Sequence, residues 1–326
     1  MHAEPVDFDR AALAAVLRRD WSMGVRELAY VPVGFGTHHY IASDDENRWF
    51  VNVDDLTSKS WIAPEANAAF DGLSRSLRTA VALRSCGLSF VHAPHEGLSG
   101  VLGRLDDRYA VSVYTFIDGR SEPHGPYASP EDRHRVLEAL GRMHASTSCV
   151  SSDSQRRDSF DVPLRGAFFQ TLGELGEPWM AGPYSERARS LLSKHRAAAR
   201  TMFDRYDELK NRVSARAAPF VVTHGEPHAG NVMWTSDGAM HVIDWDTAAT
   251  APRERDLWML EPLTDDDIAV YAASSGTAEV DPDALAMYRL WWALSEITGY
   301  TQTLRAPHAD DQNIRTSWRG LREYLP

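Results

Sequence analysis

Cysteine, lysine and long apolar runs are all scarce in this sequence of 326 residues. The two cysteines, Cys86 and Cys149, lie far apart in the sequence and indicate neither a disulfide framework nor a zinc site. No stretch approaches the roughly 18 uncharged apolar residues that a membrane-spanning helix needs. The first ten residues are acidic and lack an apolar run, so we expect no secretory signal, no membrane partner and a cytoplasmic protein.

Acidic residues outnumber basic ones, so the formal net charge is −12. A basic surface is needed to bind phosphate backbones, so we expect no nucleic-acid partner. An acidic surface favours a cationic partner through long-range attraction, although many proteins are acidic for solubility alone. Only three of the 34 basic residues are lysines, namely Lys59, Lys194 and Lys210.

The first part of the chain is predicted to be rich in β-strands. Two short strands around a glycine-containing bend are expected within residues 31–42, and a third over residues 49–53. A helix is expected over residues 70–84, where apolar residues recur at helical spacing. Residues 109–117 read as a buried strand, and Asp118-Gly119 ends it. The sequence therefore predicts a small lobe over residues 1–117.

The remainder, residues 118–326, is predicted to be a larger and mostly helical lobe. A long apolar stripe marks one helix over residues 186–213. Thr264 and Asp267 have the spacing of a helix capping pair, and Asp281-Pro282 is typical of a helix start. These helices are interpreted as scaffold.

The segment from Phe220 to Leu257 carries the residues from which chemistry can be predicted. Asp237-Gly238 is a strong signal for a two-residue hairpin turn between two strand-like runs. A turn centred on this pair predicts that Asn231 lies opposite Asp244 at the open end of the hairpin. An amide oxygen facing a carboxylate suits magnesium.

Glu226 lies five residues before Asn231, on the loop that leads into this hairpin. A carboxylate there could accept a proton from a substrate hydroxyl. His224, Glu226 and His228 could instead be taken for a zinc cluster. Their order is not that of helical zinc proteases, however, and Pro227 interrupts a helix here.

These residues resemble the catalytic core of the aminoglycoside phosphotransferase and choline-kinase group, which is related to the protein kinases. The group's pattern is roughly H-G-D-x-x-x-x-N, then a hairpin, I-D and a further Asp. It is matched here by His224-Gly225-Glu226, Asn231, Ile243-Asp244 and Asp256. Gly34-Phe35-Gly36 and the order of elements also resemble spectinomycin-type phosphotransferases. The resemblance implies an α+β, bilobal, protein-kinase-like fold.

The resemblance also implies a role for each matched residue. Asn231 and Asp244 would bind Mg²⁺, Glu226 would be the catalytic base, and His228 would lie near the transferred phosphate of ATP or GTP. The other implied residues divide into those that contact the nucleotide, Gly34, Gly36, Tyr114, Phe116, Ile117 and Ile243, and those that support the loop, His224 and Asp256.

Two positions depart from the group's pattern. Glu226 replaces the usual aspartate, and its extra methylene moves the carboxylate by roughly 1 Å, enough to affect the rate. Asn52 occupies the place of the lysine that normally pairs with the nucleotide phosphates. Lys59, from the loop after the strand, or an arginine could supply that charge instead.

The resemblance leaves the acceptor open. We expect phosphate transfer to a hydroxyl of a small, amino-bearing molecule such as an aminocyclitol or aminoglycoside antibiotic, by a monomer or weak dimer. Asp246, Trp292 and Glu296 are candidate acceptor-binding residues. A metabolic kinase for choline, homoserine or an amino sugar is an alternative. So is a non-catalytic nucleotide or ligand binder of the same fold, which Asn52 and Glu226 would favour.

Overall fold

The structure is a computed structural model that describes residues 1, 3–5, 8–34, 36–216 and 218–326. Its helices are α1 Arg10–Trp21, α2 Ala66–Ser85, α3 Pro130–Ala145, α4 Arg165–Gly173, α5 Ser185–Ala215, α6 Glu254–Leu257, α7 Asp265–Ser275, α8 Pro282–Arg305 and α9 Gln312–Tyr324. Within these described ranges, no helix is long and apolar enough to cross a membrane.

The strands are short and pair in antiparallel fashion. They are β1 Glu27–Val31, β2 His38–Ser43, β3 Arg48–Asp55, β4 Gly103–Arg104, β5 Tyr109–Thr115, β6 Gly119–Arg120, β7 Val221–Thr223, β8 Val232–Thr235, β9 Met240–Val242 and β10 Ala249–Ala251. They form a five-stranded sheet in the order β1-β2-β3-β5-β4, a three-stranded sheet β6-β8-β9 and a two-stranded sheet β10-β7.

The chain divides into two compact units. Unit 1 comprises residues 1–158 and 219–280, and unit 2 comprises residues 159–218 and 281–326. Unit 1 therefore holds all three sheets as well as the segment predicted to carry the chemistry. The boundary predicted after residue 117 differs from this division and stays a prediction.

The helix α1 packs against one face of the five-stranded sheet and buries it. The side chain of Asp9 caps α1 by accepting a hydrogen bond from the Ala12 N–H at 2.9 Å. Burial alternates along β2, which is typical of a strand with one face on a core. The core cluster on this face is Leu13, Val16, Leu17, Met23, Tyr40, Ala42, Val51, Val53, Tyr109, Val111 and Val113.

The rest of unit 1 contains α3 and α7, which pack closely together. Ser129 caps α3, and Pro130 occupies its first turn. Thr264 and Asp267 form the predicted capping box at the start of α7. Gly141 of α3 lies where the two helices meet, because a Cβ added there would be 2.9 Å from the Tyr271 carbonyl oxygen.

The hairpin of β8 and β9 differs from its predicted register by one residue. Val232 pairs with Val242 and Trp234 with Met240, so Asn231 lies across from Ile243 rather than Asp244. The Ile243 N–H donates to the Asn231 carbonyl oxygen at 2.9 Å. The turn is a three-residue loop in which Gly238 has φ +82°, a common alternative to the two-residue turn that Asp-Gly suggests.

Unit 2 consists of α4, α5, α8 and α9. Asp281 caps α8 by accepting from the Asp283 N–H at 2.9 Å, as the sequence predicts. Arg212 and Arg216, at the end of α5, pair with Asp283 and Asp281 at the start of α8. The buried residues of these helices include Phe168, Leu192, Phe203, Tyr206, Met287, Tyr288, Leu294 and Ile297.

Two glycine-to-alanine substitutions in helices should have opposite effects on stability. Gly141→Ala should lower the free energy of unfolding by about 1–3 kcal/mol, because the new methyl group overlaps α7. Gly299→Ala, in α8, should be neutral or raise that free energy by up to about 1 kcal/mol, since nothing lies within 4 Å of the added carbon. Urea unfolding measures both, and equal effects would contradict the tight packing of α3 on α7.

Candidate active site

The loop that follows β7 is held by one buried carboxylate. Asp256, in α6, accepts hydrogen bonds from the backbone N–H groups of His224 at 3.0 Å and Gly225 at 2.6 Å. His144 of α3 lies 3.0 Å from the same carboxylate. Burial alone would raise the pKa of Asp256, but the hydrogen bond to His144 and nearby positive charge hold it below its ordinary value. Asp256 therefore stays ionised and fixes the loop.

His224 contributes a second set of contacts to this loop. Its Nδ1 accepts from the Glu226 N–H at 3.2 Å, so Nε2 carries the proton and donates to the Ile243 carbonyl oxygen at 2.8 Å. The ring is fully buried, and burial lowers the pKa of His224. A neutral His224 thus joins the Glu226 loop to the end of β9.

Gly225 cannot be replaced without disturbing this loop. Its φ of +101° favours glycine, and an added Cβ would lie 2.5 Å from the Arg255 guanidinium. Arg255 itself donates to the Thr223 hydroxyl and to the Thr247 carbonyl oxygen, each at 2.9 Å. The guanidinium therefore covers the loop backbone and joins β7 to the segment after Asp246.

Asn231 and Asp244 come from adjacent points at the open end of the hairpin. The Asn231 side-chain NH₂ donates to the Glu226 carbonyl oxygen at 3.0 Å, which leaves its Oδ1 as the atom that a cation would use. Asp244 follows Ile243 and has a left-handed backbone with φ +65°, an unusual conformation for a residue other than glycine. Such outliers cluster at functional sites.

Asp244 lies in a surplus of negative charge. Water reaches the residue, yet the surrounding protein and the neighbouring carboxylates of Asp246 and Asp54 raise the pKa of Asp244 to about 8. One lysine amine opposes these three carboxylates. Among the described residues, no three histidine, cysteine or acidic side chains form a ready-made metal cage.

Lys59 supplies that amine from the loop after β3. Its Nζ lies 2.9 Å from Asp54 Oδ1, 2.8 Å from Asp246 Oδ2 and 3.1 Å from the Thr37 hydroxyl. Burial would lower the pKa of Lys59, but the two carboxylates raise it above its ordinary value. Asp246 thus pairs with Lys59, and the lysine is brought beside the Asp244 segment.

Asn52, at the expected lysine position, contacts the glycine-containing segment instead. Its Oδ1 accepts from His39 Nδ1 at 2.9 Å, and burial lowers the pKa of His39 to about 4. A Cβ at Gly34 would lie 3.1 Å from the His39 ring. Gly34 and Gly36 have φ of +68° and +90°, while Phe35 lies outside the described residues. Asn52 therefore supports the glycine bend through His39.

The end of β5 carries the residues expected to lead into the hinge. Tyr114 is buried and lies against the His92 ring, with centroids 5.4 Å apart. Phe116 lies under the Arg48 guanidinium at 4.1 Å, and Ile117 follows it without strand pairing. The His92 N–H donates to the Val242 carbonyl oxygen at 3.0 Å, which joins this region to β9.

His228 is held as a neutral side chain. Its Nδ1 accepts from the Gly230 N–H at 3.1 Å, and its ring contacts the His124 ring with centroids 4.4 Å apart. The pKa of His228 is lowered to about 3, mainly by burial and to a smaller extent by the positive charge of His124. His228 can thus offer a hydrogen bond from Nε2 but not the charge of the lysine that protein kinases have there.

Trp292 and Glu296 belong to unit 2 and not to the unit that holds the residues above. The Trp292 Nε1 donates to the Tyr324 hydroxyl at 3.0 Å. Burial raises the pKa of Glu296, and the neighbouring Tyr300 hydroxyl opposes this with a smaller lowering. A carboxylate and three aromatic rings therefore occur together on α8 and α9.

Sequence reasoning missed several residues of this site. Asp54 could have been found, because it follows Asn52 by two positions and so shares a face of β3. His144 and Thr37 gave no local signal, since their partners lie far along the chain. Tyr127 and His124 likewise gave no local signal. Tyr127 donates to the Pro227 carbonyl oxygen at 2.7 Å, and the two residues are 100 positions apart in the sequence.

Comparison with known proteins gives the family and the fold of the chain. The phosphotransferase enzyme family (APH) matches residues 34–301. No curated protein matches the chain in sequence. Solved structures share its α+β, kinase-like fold. A spectinomycin phosphotransferase bound to ADP and spectinomycin superposes with a TM-score of 0.72 at 17% identity, covering 97% of this chain and 94% of that one.

Two further structures are similar over most of their length. A choline kinase from Streptococcus pneumoniae has a TM-score of 0.57 at 11% identity, covering 96% of this chain and 98% of that one. An ADP-bound aminoglycoside phosphotransferase has a TM-score of 0.52 at 14% identity, covering 98% and 97%. The chain belongs to the phosphotransferase enzyme family, as its motifs indicate. It is a small-molecule O-phosphotransferase.

The stability of unit 1 should fall in acid partly because of His92. Burial lowers the pKa of His92 to about 4, below the ordinary value of 6.5, so the unfolded chain binds a proton first as pH falls. His92→Phe keeps a ring against Tyr114 but cannot be protonated. Its free energy of unfolding should therefore decrease less than that of the parent between about pH 6.5 and pH 4. Urea unfolding across this pH range measures the free energy of unfolding of both proteins. If that free energy falls equally steeply with pH in the parent and in His92→Phe, the prediction is wrong.

Proposed function

We propose that the protein transfers the γ-phosphate of ATP to a hydroxyl of a small, amino-bearing molecule. One observation carries the proposal. The ion pair of Lys59 and Asp246 lies beside the hairpin end with Asn231 and Asp244, next to the loop that Asp256 holds. A lysine, a carboxylate and an oriented amide are the groups by which phosphoryl-transfer enzymes position a nucleotide. Family membership supports the reaction class.

The Asn231–Asp244 pair fits magnesium. The available donors are an amide oxygen and a carboxylate, and Mg²⁺ is usually held by one or two such oxygens plus substrate phosphates. The raised pKa of Asp244 marks negative charge that a divalent cation would offset. When bound, the ion would neutralise charge that develops on the phosphate oxygens.

Lys59 is proposed to replace the lysine that is absent at position 52, where this chain has Asn52. Its amine is buried and ionised between Asp54 and Asp246. In this role its positive charge would offset the negative charge of the α- and β-phosphates, while the backbone at Gly34 and Gly36 approaches them closely. Adenine would hydrogen-bond to backbone groups between Tyr114 and Ile117, with Ile243 beneath the ring.

Glu226 is the proposed general base. Its backbone carbonyl orients Asn231, and its N–H is held by His224, so the residue is fixed on both sides. The carboxylate would accept the proton of the acceptor hydroxyl as the oxygen attacks phosphorus. His228 would contribute a neutral hydrogen bond from Nε2, given its acceptor role at Nδ1.

For the acceptor, we propose a molecule with at least one ammonium group. The acidic net charge of −12 would attract it. Glu296, with Trp292 and Tyr300 on the same helix, offers a carboxylate and aromatic faces, which together recognise cations. Aminocyclitols, aminoglycosides and amino alcohols are therefore the acceptors to test first.

Two variants should separate nucleotide binding from transfer. Asp244→Ala should lose the magnesium-dependent part of ATP affinity. Glu226→Gln should retain that affinity but lose about a hundredfold or more in turnover, as expected for a general base. Calorimetry with ATP, with and without Mg²⁺, and a transfer assay on the acceptor panel measure these effects. Magnesium-dependent binding by Asp244→Ala, or undiminished turnover by Glu226→Gln, would remove that residue from its role. ATP binding by the parent without transfer to any acceptor would support a non-catalytic binder.

Lys59→Met should weaken ATP binding by roughly tenfold or more, because the positive charge that offsets the nucleotide phosphates is lost. AMP lacks the β-phosphate, so its affinity should change much less. The ratio of ATP to AMP affinity therefore reports on Lys59 even if the variant is less stable. Lys194→Met, at an exposed position of α5, is the matched control. Equal losses for both nucleotides would argue against a phosphate contact.

A further inference from the structure

The chain's two cysteines, far apart in sequence, meet in unit 1. Cys86 caps the C-terminal end of α2, and Cys149 ends a short 3-10 helix that follows α3. The Cys149 thiol is near enough to raise the pKa of the Cys86 thiol. Cys86 is exposed and Cys149 is partly exposed, so a small reagent can reach the pair.

Contacts on either side show that the two segments run next to each other. The Arg142 guanidinium, near the end of α3, lies 5.6 Å from the centroid of the Phe90 ring, just after α2. The Thr79 hydroxyl of α2 donates to the Ser154 carbonyl oxygen at 3.3 Å. The approach of the thiols is therefore part of an extended packed contact.

Each segment also supports one strand of the candidate active site. After Cys86, the Phe90 carbonyl oxygen accepts from the Val242 N–H at 2.8 Å, and Val242 is the last residue of β9 before Ile243 and Asp244. Before Cys149, the Thr147 hydroxyl accepts from the Val222 N–H at 2.9 Å, and β7 leads into His224. A covalent bond between the cysteines would therefore join the supports of both strands.

We propose that Cys86 and Cys149 are a modification site, at which a small-molecule disulfide such as oxidised glutathione converts them into a reversible intrachain disulfide. The bond would stabilise unit 1 by tying together the supports of β7 and β9. This proposal goes beyond the phosphotransferase activity and does not depend on it.

The exchange proceeds in two balanced steps. The Cys86 thiolate, which is the more exposed, attacks one sulfur of oxidised glutathione and releases the first glutathione thiolate. The Cys149 thiolate then attacks the Cys86 sulfur of the mixed disulfide and releases the second. Two electrons pass from the protein to glutathione, and the two protons lost by the cysteines end on the released thiols.

The chemistry of the pair favours slow exchange. The neighbouring Cys149 thiol raises the pKa of Cys86, so little thiolate exists at neutral pH. The second step is intramolecular and therefore fast once the mixed disulfide forms, because the two sulfur atoms are already neighbours. We expect the rate to increase as pH rises from about 7 to about 9.

Mass spectrometry of the full chain after incubation with oxidised glutathione tests the proposal. The product should be lighter than the reduced chain by about 2 Da, the mass of two hydrogen atoms, and should have lost both reactive thiols. A non-reducing digest should yield one linked peptide pair containing Cys86 and Cys149. The melting temperature should rise, and a dithiol reductant should reverse every change.

Cys86→Ser and Cys149→Ser are the matched controls. Each should instead accumulate a stable glutathione adduct on its remaining cysteine and show no increase in melting temperature on oxidation. If the parent protein also stops at glutathione adducts, or forms only intermolecular dimers, the proposed disulfide does not form. If the linked product forms but melts no higher than the reduced chain, the stabilising role is wrong.

Discussion

The carboxylate of Asp256 is the constraint on which the candidate site depends. It receives two successive backbone N–H groups of the His224–Gly225 turn and a contact from His144, all away from water. Removing it would leave buried donors without acceptors, which costs more than the hydrogen bonds themselves contribute. Glu226 follows that turn directly, and Asn231 lies five residues further along the same loop. This one side chain therefore fixes the positions of both.

Lys59 illustrates a second use of buried charge. Ion pairs among Lys59, Asp54 and Asp246 are poor sources of stability, because desolvation offsets most of the attraction. What the cluster provides is position: it brings a cation from a loop to the segment that also carries Asp244. A strand residue would be held by the sheet, whereas a loop lysine needs such partners. Under the proposed function, this placement lets Lys59 supply the positive charge that Asn52 cannot provide.

The sequence predicted the parts of the molecule that rest on local signals. The capping residues Thr264 and Asp281 were recognisable because their partners lie within three residues. The fold and family were predictable because the motif residues occur in a fixed order near Asn231 and Asp244. The hairpin register was wrong by one, since Asp-Gly also suits a three-residue loop with Gly238 in the left-handed region. The Cys86–Cys149 contact and the His144–Asp256 bond join segments distant in sequence, which no local pattern encodes.

The scarcity of lysine has a practical consequence. The side chain of Lys59 is 4% exposed, whereas Lys194 is exposed and Lys210 lies at the surface of α5 beside Asp161. Amine-reactive dyes or biotin reagents would therefore modify unit 2 lysines and spare Lys59. These two lysine attachment points both lie on one long helix, α5. Coupling through lysine is thus a natural route to fluorescent or surface-immobilised protein in which the lysine between Asp54 and Asp246 remains unmodified.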